Sequence, residues 1–312
     1  MHLHKEAQLV LDLVKAAGRP PFETLTPAEA RAASAASRPM LQPDPPEVAE
    51  MRDLVAGTVP VRLYRGLGTP PGAILPCLIY FHGGGWVIGD IAQYDQVCRR
   101  LANLAGCCVI SVEYRLAPEH RFPAGVEDCA SATGWIIGNA ASLAIDPARI
   151  AVGGDSAGGN LSAVMCLMAR DGTLPPIGYQ VLIYPAVDLT MTHPSYDRIT
   201  DNYLLTATTM RYFVDHYVRS GADPLDWRVS PLRAASLAGV APALVVTVAH
   251  DPLCDEGTDY AQRLEREGVA VTHMHVSDQM HAYLTMGRVI RASDTLIATV
   301  ATALRGAWSA GP

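Results

Sequence analysis

No apolar run in the 312-residue chain approaches the roughly 20 residues needed to cross a bilayer, so the sequence offers no transmembrane helix and no membrane partner is expected. Basic residues are outnumbered, 24 Lys and Arg against 31 Asp and Glu, and they form no stripe. A net charge of −7 without a basic patch gives no reason to expect a nucleic-acid partner. The seven cysteines are odd in number and irregularly spaced, with no CxxC pair, which argues against a closed disulfide framework. No cluster of cysteine and histidine has zinc-ligand spacing, so no metal is expected. Cys107 and Cys108 fall in an apolar run, where small buried hydrophobes are common. The first residues, with His2, His4, Lys5 and Glu6, lack the charged start and apolar core of a secretory signal. A reducing, cytoplasmic setting is the expectation. Internal repeats and low-complexity tracts are also missing.

What the chain does have is a pair of glycine-rich motifs that complete each other. His82-Gly83-Gly84-Gly85-Trp86 follows the apolar run Cys77 to Phe81. Gly154-Asp155-Ser156-Ala157-Gly158 follows Arg149 to Val152 and opens an alanine-rich stretch. The second has the G-x-S-x-G form of a strand-to-helix turn that exposes a serine hydroxyl. The first has the form of a loop that offers backbone N–H groups to an oxyanion. Together they make the two halves of an acyl-transfer site.

Around these motifs, short apolar runs alternate with helical patterns. Strands are predicted at Val59–Arg65, Cys77–Phe81, Cys107–Val112, Ile150–Val152, Gly178–Tyr184, Ala243–Ala249 and Val271–Val276. Helices are predicted at Tyr94–Leu104, Val126–Asn139, Ala157–Ala169, Glu256–Glu267 and Ser293–Leu304. This rhythm indicates an α/β fold with a mostly parallel sheet covered on both faces. Residues 1–45 read as a helical prelude: Ala7 to Ala17 is amphipathic, and Thr26-Pro27-Ala28-Glu29 carries an N-cap, a proline at the first helical position and an early acid. The rhythm breaks again over 188–226, where two apolar or aromatic patches suggest a helical insertion. The core is then divided into 46–187 and 227–312.

A serine nucleophile needs a base and an acid that orients the base. On sheets carrying this elbow they follow in the order Ser, acid, His, in loops past the C-terminal strand ends. Asp251 lies just beyond Ala243–Ala249 and is selected as the acid over its bland reading as a turn residue before proline. Asp255 is expected to cap the next helix. Among the later histidines, His273 and His275 alternate along a strand and face one side of the sheet, which suits packing or surface roles. His281 follows the strand and is selected as the base. The oxyanion donors are expected to be the N–H groups of Gly83, Gly84 and Ala157. His82 is expected to fix its loop, and Asp155 to order the elbow through a partner that sequence does not reveal.

These residues resemble the hormone-sensitive-lipase-like family of α/β-hydrolases, bacterial esterases with an HGGG loop. The resemblance runs through Tyr80 to Trp86, Glu113 to Ala124, Gly153 to Asn160, Tyr184-Pro185, Ser230-Pro231-Leu232 and Asp251 to Gly257, nearly the whole chain. It implies the same triad of Ser156, Asp251 and His281, the same oxyanion donors, and a cap built from the N-terminal helices and the 188–226 insertion. There are two departures. Ala282 stands where a glycine usually follows the histidine, and Cys254 where an arginine is common.

The resulting expectation is a serine carboxylesterase for short- to medium-chain esters, working through an acyl-enzyme without metal or organic cofactor. An amidase or deacetylase with the same triad, or a non-catalytic ligand-binding protein, are the rivals. The second is opposed by retention of His281, which related plant hormone receptors replace. Trp86, Tyr94, Tyr203, Leu204, Leu205 and Met210 are the candidate pocket residues. The last strand, Val271 to Val276, is expected to leave an edge available for homodimer pairing.

Overall fold

The computed structural model describes residues 2–218 and 224–309; part of the 188–226 stretch therefore lies outside the described residues. In chain order the strands are β1 (Glu50–Ala56), β2 (Val59–Arg65), β3 (Leu75–Phe81), β4 (Cys108–Val112), β5 (Ile145–Asp155), β6 (Tyr179–Ile183), β7 (Ala243–His250) and β8 (Val271–Met280). The helices are α1 (Lys5–Ala16), α2 (Pro27–Leu41), α3 (Ile91–Ala105), α4 (Ala124–Gly138), α5 (Ala140–Leu143), α6 (Ala157–Arg170), α7 (Ser195–Arg198), α8 (Ala207–Tyr217), α9 (Cys254–Arg266) and α10 (Ala292–Ser309).

All eight strands join one sheet in the order β1-β2-β4-β3-β5-β6-β7-β8. β1, β2 and β4 pair antiparallel, and every pairing from β4 through β3 to β8 is parallel. β4 and β7 are buried at every position, as parallel strands covered on both faces must be. One apolar layer brings Val126 of α4, Leu161 of α6 and Leu264 of α9 together with inward residues of the sheet. On the other face Val97 of α3, Val10 of α1 and Leu296 of α10 join a second layer. Among the described residues no helix is long and apolar enough to cross a membrane.

β1 is absent from the sequence expectation. Its Glu50, Arg52 and Asp53 obscure the apolar alternation, because the strand lies at the sheet margin and most of its positions are open to solvent. It is recruited by β2, across which Asp53 faces Arg62 and accepts from its guanidinium at 2.5 and 2.9 Å. β8 is the opposite margin, alternately exposed and half-buried as far as Asp278 and buried only at Gln279 and Met280. Thus the sheet carries its last strand past the margin into the interior at the point where His281 begins.

The Thr26 box forms as the residues suggest: the Thr26 hydroxyl accepts from Glu29 N–H, and the Glu29 carboxylate accepts from Thr26 N–H at 2.9 Å. The helix so started is held against the glycine loop. Arg31 donates to the carbonyls of Val87 and Ala117, both at 2.8 Å, and to the Glu119 carboxylate.

Candidate active site

β5 ends at Asp155, and α6 starts at Ala157, leaving Ser156 alone at the turn. Its backbone lies at φ 56°, ψ −118°, a conformation costly for a residue with a side chain. The tightness of the crossing explains Gly158: a Cβ there would collide with the carbonyl of Phe81 at the end of β3. Ser156, Asp251 and His281 come from the ends of three parallel strands, β5, β7 and β8, and are 7%, 0% and 6% exposed.

The Ser156 hydroxyl lies 3.0 Å from His281 Nε2, and His281 Nδ1 lies 2.6 Å from Asp251 Oδ2. With the Nδ1 proton donated to the carboxylate, Nε2 presents its lone pair to the serine. Asp251 is itself held, because its other oxygen accepts from Leu253 N–H at 2.8 Å. The Tyr184 ring centroid sits 4.6 Å from that of the imidazole, tilted by 54°. His273 and His275 are remote from this chain of bonds and share the Thr247 hydroxyl at 2.9 and 3.0 Å.

Asp255 does not cap α9. That helix starts at Cys254, and Leu253 occupies the cap position without a side-chain bond. Asp255 N–H is bonded by the Ser195 hydroxyl, and the Asp255 carboxylate takes both ends of the Arg198 guanidinium at 2.8 and 2.9 Å. The competing donors lie about 60 residues away in α7, beyond the reach of any local capping rule. Arg198 thereby holds the Asp255 carboxyl below its usual range, ahead of an opposing effect of burial.

The glycine loop also departs from expectation at one residue. Gly83 N–H donates to Asp155 Oδ1 at 3.1 Å, so it is not available to an oxyanion. Gly84 and Gly85 follow at φ 117° and 57°, and their N–H groups have no hydrogen-bond partner among the described residues. His82 anchors the loop: Nδ1 donates to the Gly83 carbonyl at 2.7 Å, and the ring stacks on Tyr114 at 4.3 Å. Burial pushes its pKa down to about 4, so it stays neutral.

A cavity of about 470 Å³ opens onto Ser156 and His281, a size suited to a small organic ligand. Tyr94, Tyr203, Leu204, Leu205 and Met210 line it. Trp86 does not. Its φ of 59° turns the indole away into the interior, 1% exposed and stacked on Tyr217 of α8 at 4.4 Å. Phe22, Glu23 and Phe213 line the cavity and were not expected from sequence. Phe213 had a readable signal, since it follows Met210 by three residues on one helix face. Glu23 had none: its partner, the Thr209 hydroxyl at 2.9 Å, is 186 residues away.

A family model described as alpha/beta hydrolase fold matches residues 78–285. Among individual relatives, the ethyl acetate hydrolase of Pseudomonas putida is 40% identical over 249 residues, covering 80% of this chain and 78% of its own length. The carboxylic ester hydrolase LipN of Mycobacterium tuberculosis is 43% identical over 74% of this chain, which spans only 62% of LipN. An alpha/beta hydrolase enzyme from the metagenome of Lake Arreo, Spain, superimposes with a TM-score of 0.94 at 41% identity, covering 98% of this chain and 99% of its own.

Proposed function

This chain belongs to the α/β-hydrolase family, in its hormone-sensitive-lipase-like branch, and is a carboxylic ester hydrolase; from that premise we propose that it forms an acyl-enzyme on Ser156 and prefers short- to medium-chain esters. The observation that carries the mechanism is the unbroken line of hydrogen bonds Asp251–His281–Ser156 opening into a cavity. His281 Nε2 takes the Ser156 proton as Oγ attacks the ester carbonyl, and Asp251 holds the tautomer and stabilises the imidazolium. The carbonyl oxygen becomes an oxyanion facing Gly84, Gly85 and Ala157 N–H, a set that replaces Gly83 because that amide is bonded to Asp155. His281 returns its proton to the leaving alcohol as the C–O bond breaks. Water then adds to the acyl-enzyme with His281 again as base, releasing the acid and restoring the Ser156 hydroxyl.

Residues 1–45 and 188–226 act as a cap over the core formed by 46–187 and 227–312. This reading is supported by cavity walls drawn from α1, α2, α8 and the glycine loop together. Two copies pair through the Val271–Val276 edge of β8. The protein works in the reducing cytoplasm, a setting supported by seven buried cysteines that are all unpaired.

An organophosphate tests the chemistry directly. The adduct is expected on Ser156 by mass spectrometry, and Ser156→Ala is expected to lose at least about a thousandfold in kcat. Labelling elsewhere, together with an active Ser156→Ala, refutes the mechanism.

A further inference from the structure

Asp155 precedes the nucleophile, is 2% exposed, and has no part in the Asp251–His281–Ser156 line. A carboxylate so deeply buried is costly unless its oxygens are satisfied. Three elements satisfy it. From β3 the Tyr80 hydroxyl donates to Oδ1 at 2.8 Å, from α3 the Tyr94 hydroxyl donates to Oδ2 at 2.8 Å, and from the glycine loop Gly83 N–H donates to Oδ1 at 3.1 Å. Three donors on two oxygens match the acceptor-only ionised form. The space is tight: a Cβ on Gly83 would lie 2.5 Å from Asp155 Oδ2 and 2.8 Å from the Tyr94 hydroxyl.

The consequence lies one residue further along the loop. Gly83 is bonded on both sides, its N–H to Asp155 and its carbonyl to His82 Nδ1. Its peptide planes are therefore pinned, and the next two N–H groups point where that pinning sends them. We propose that Asp155 is a positioning residue for the oxyanion hole, aiming Gly84 and Gly85 through Gly83. The inference rests on the nucleophile and base assigned above.

Burial holds the Asp155 carboxyl above its usual range, against the opposing pull of the two phenols, His281 and the Gly83 amide.

The test is Asp155→Asn in the full chain, assayed on a 4-nitrophenyl ester, with a trifluoromethyl ketone whose adduct oxygen mimics the oxyanion. The amide keeps the size but places a donor against donors and removes the charge. The expected result is a kcat lower by about ten- to a hundredfold, comparable to or smaller than loss of one oxyanion donor, with KM within about threefold. Affinity for the ketone falls by the same factor. A folded variant with unchanged kcat and ketone affinity overturns the proposal. So does a lower kcat with ketone affinity unmoved, which is what a merely structural role gives. If Asp155→Asn does not fold, Tyr80→Phe carries the test, since Tyr80 shares Oδ1 with Gly83. A parallel fall in kcat and ketone affinity supports the proposal, and lost thermal stability with both unchanged defeats it. Ser156→Ala separates the two levels: activity retained there defeats the underlying mechanism, whereas an inactive Ser156→Ala beside a fully active Asp155→Asn defeats only this inference.

Discussion

Ala282 shows how one side chain can strain a site without joining it. It follows His281 at φ 68°, the left-handed region in which a Cβ meets the following carbonyl. A glycine there would carry no such penalty. Ala282→Gly is therefore expected to keep kcat within about twofold and to leave stability unchanged or raise it by up to about 1 kcal/mol, the relieved strain being opposed by glycine's greater unfolded-state entropy. Urea denaturation read beside kcat checks it, and a loss of more than about 1 kcal/mol would show that the methyl packing against the cavity outweighs the strain. At this scale much of the site was legible. Order along the chain and position after a strand end selected Ser156, Asp251 and His281, and those three side chains meet. Gly83, Trp86 and Asp255 were not legible in their true surroundings. Each is decided by a group distant in sequence or by a local φ: Asp155 is 72 residues from Gly83, Tyr217 stacks on Trp86 from α8, and Arg198 is 57 residues from Asp255.

Among the elements, the buried strands were easiest to read and the marginal ones hardest. β3, β4 and β7 are apolar because both faces are covered, so composition alone exposes them. β1 depends on β2 for its conformation, and its charged residues carry no comparable signal. β8 is intermediate, readable over Val271–Val276 but extending to Met280. Among the described residues its outer side pairs with no other strand, which motivates the proposed dimer. Sedimentation velocity at micromolar concentration is expected to give twice the 33.3 kDa chain mass, and a single monomeric boundary removes that proposal.

For the molecule as a whole, acid acts on a buried group that the modest net charge does not reveal. His82 is neutral in the fold with a pKa of about 4, below its unfolded value of 6.5. The unfolded chain therefore binds a proton first as pH falls. The stability associated with neutral His82 is complete above about pH 6.5 and is lost progressively down to about pH 4, by about 3 kcal/mol for this group alone. Followed by NMR, the His82 imidazole is expected to stay neutral down to about pH 4, and titration near its ordinary value would contradict the burial of a neutral ring. The cavity makes a second whole-molecule prediction. A volume of about 470 Å³ walled by residues of α1, α2, α8 and the glycine loop limits the acyl chain, so kcat/KM should peak among short to medium 4-nitrophenyl esters and fall toward palmitate. A maximum at palmitate, or a rate jump above substrate solubility, would indicate a lipase.

The order in which the reacting groups leave the ribosome gives the last strand a temporal meaning. Ser156 is synthesised 125 residues before His281, its proposed base. The base waits at the end of a strand that needs β7 beside it, and α10 is made later still. On the proposed mechanism, a nascent chain halted anywhere before β8 carries a serine without its base. Hydrolysis then waits for His281 to be made, and its onset during translation would time the closing of the sheet as directly as any spectroscopic probe.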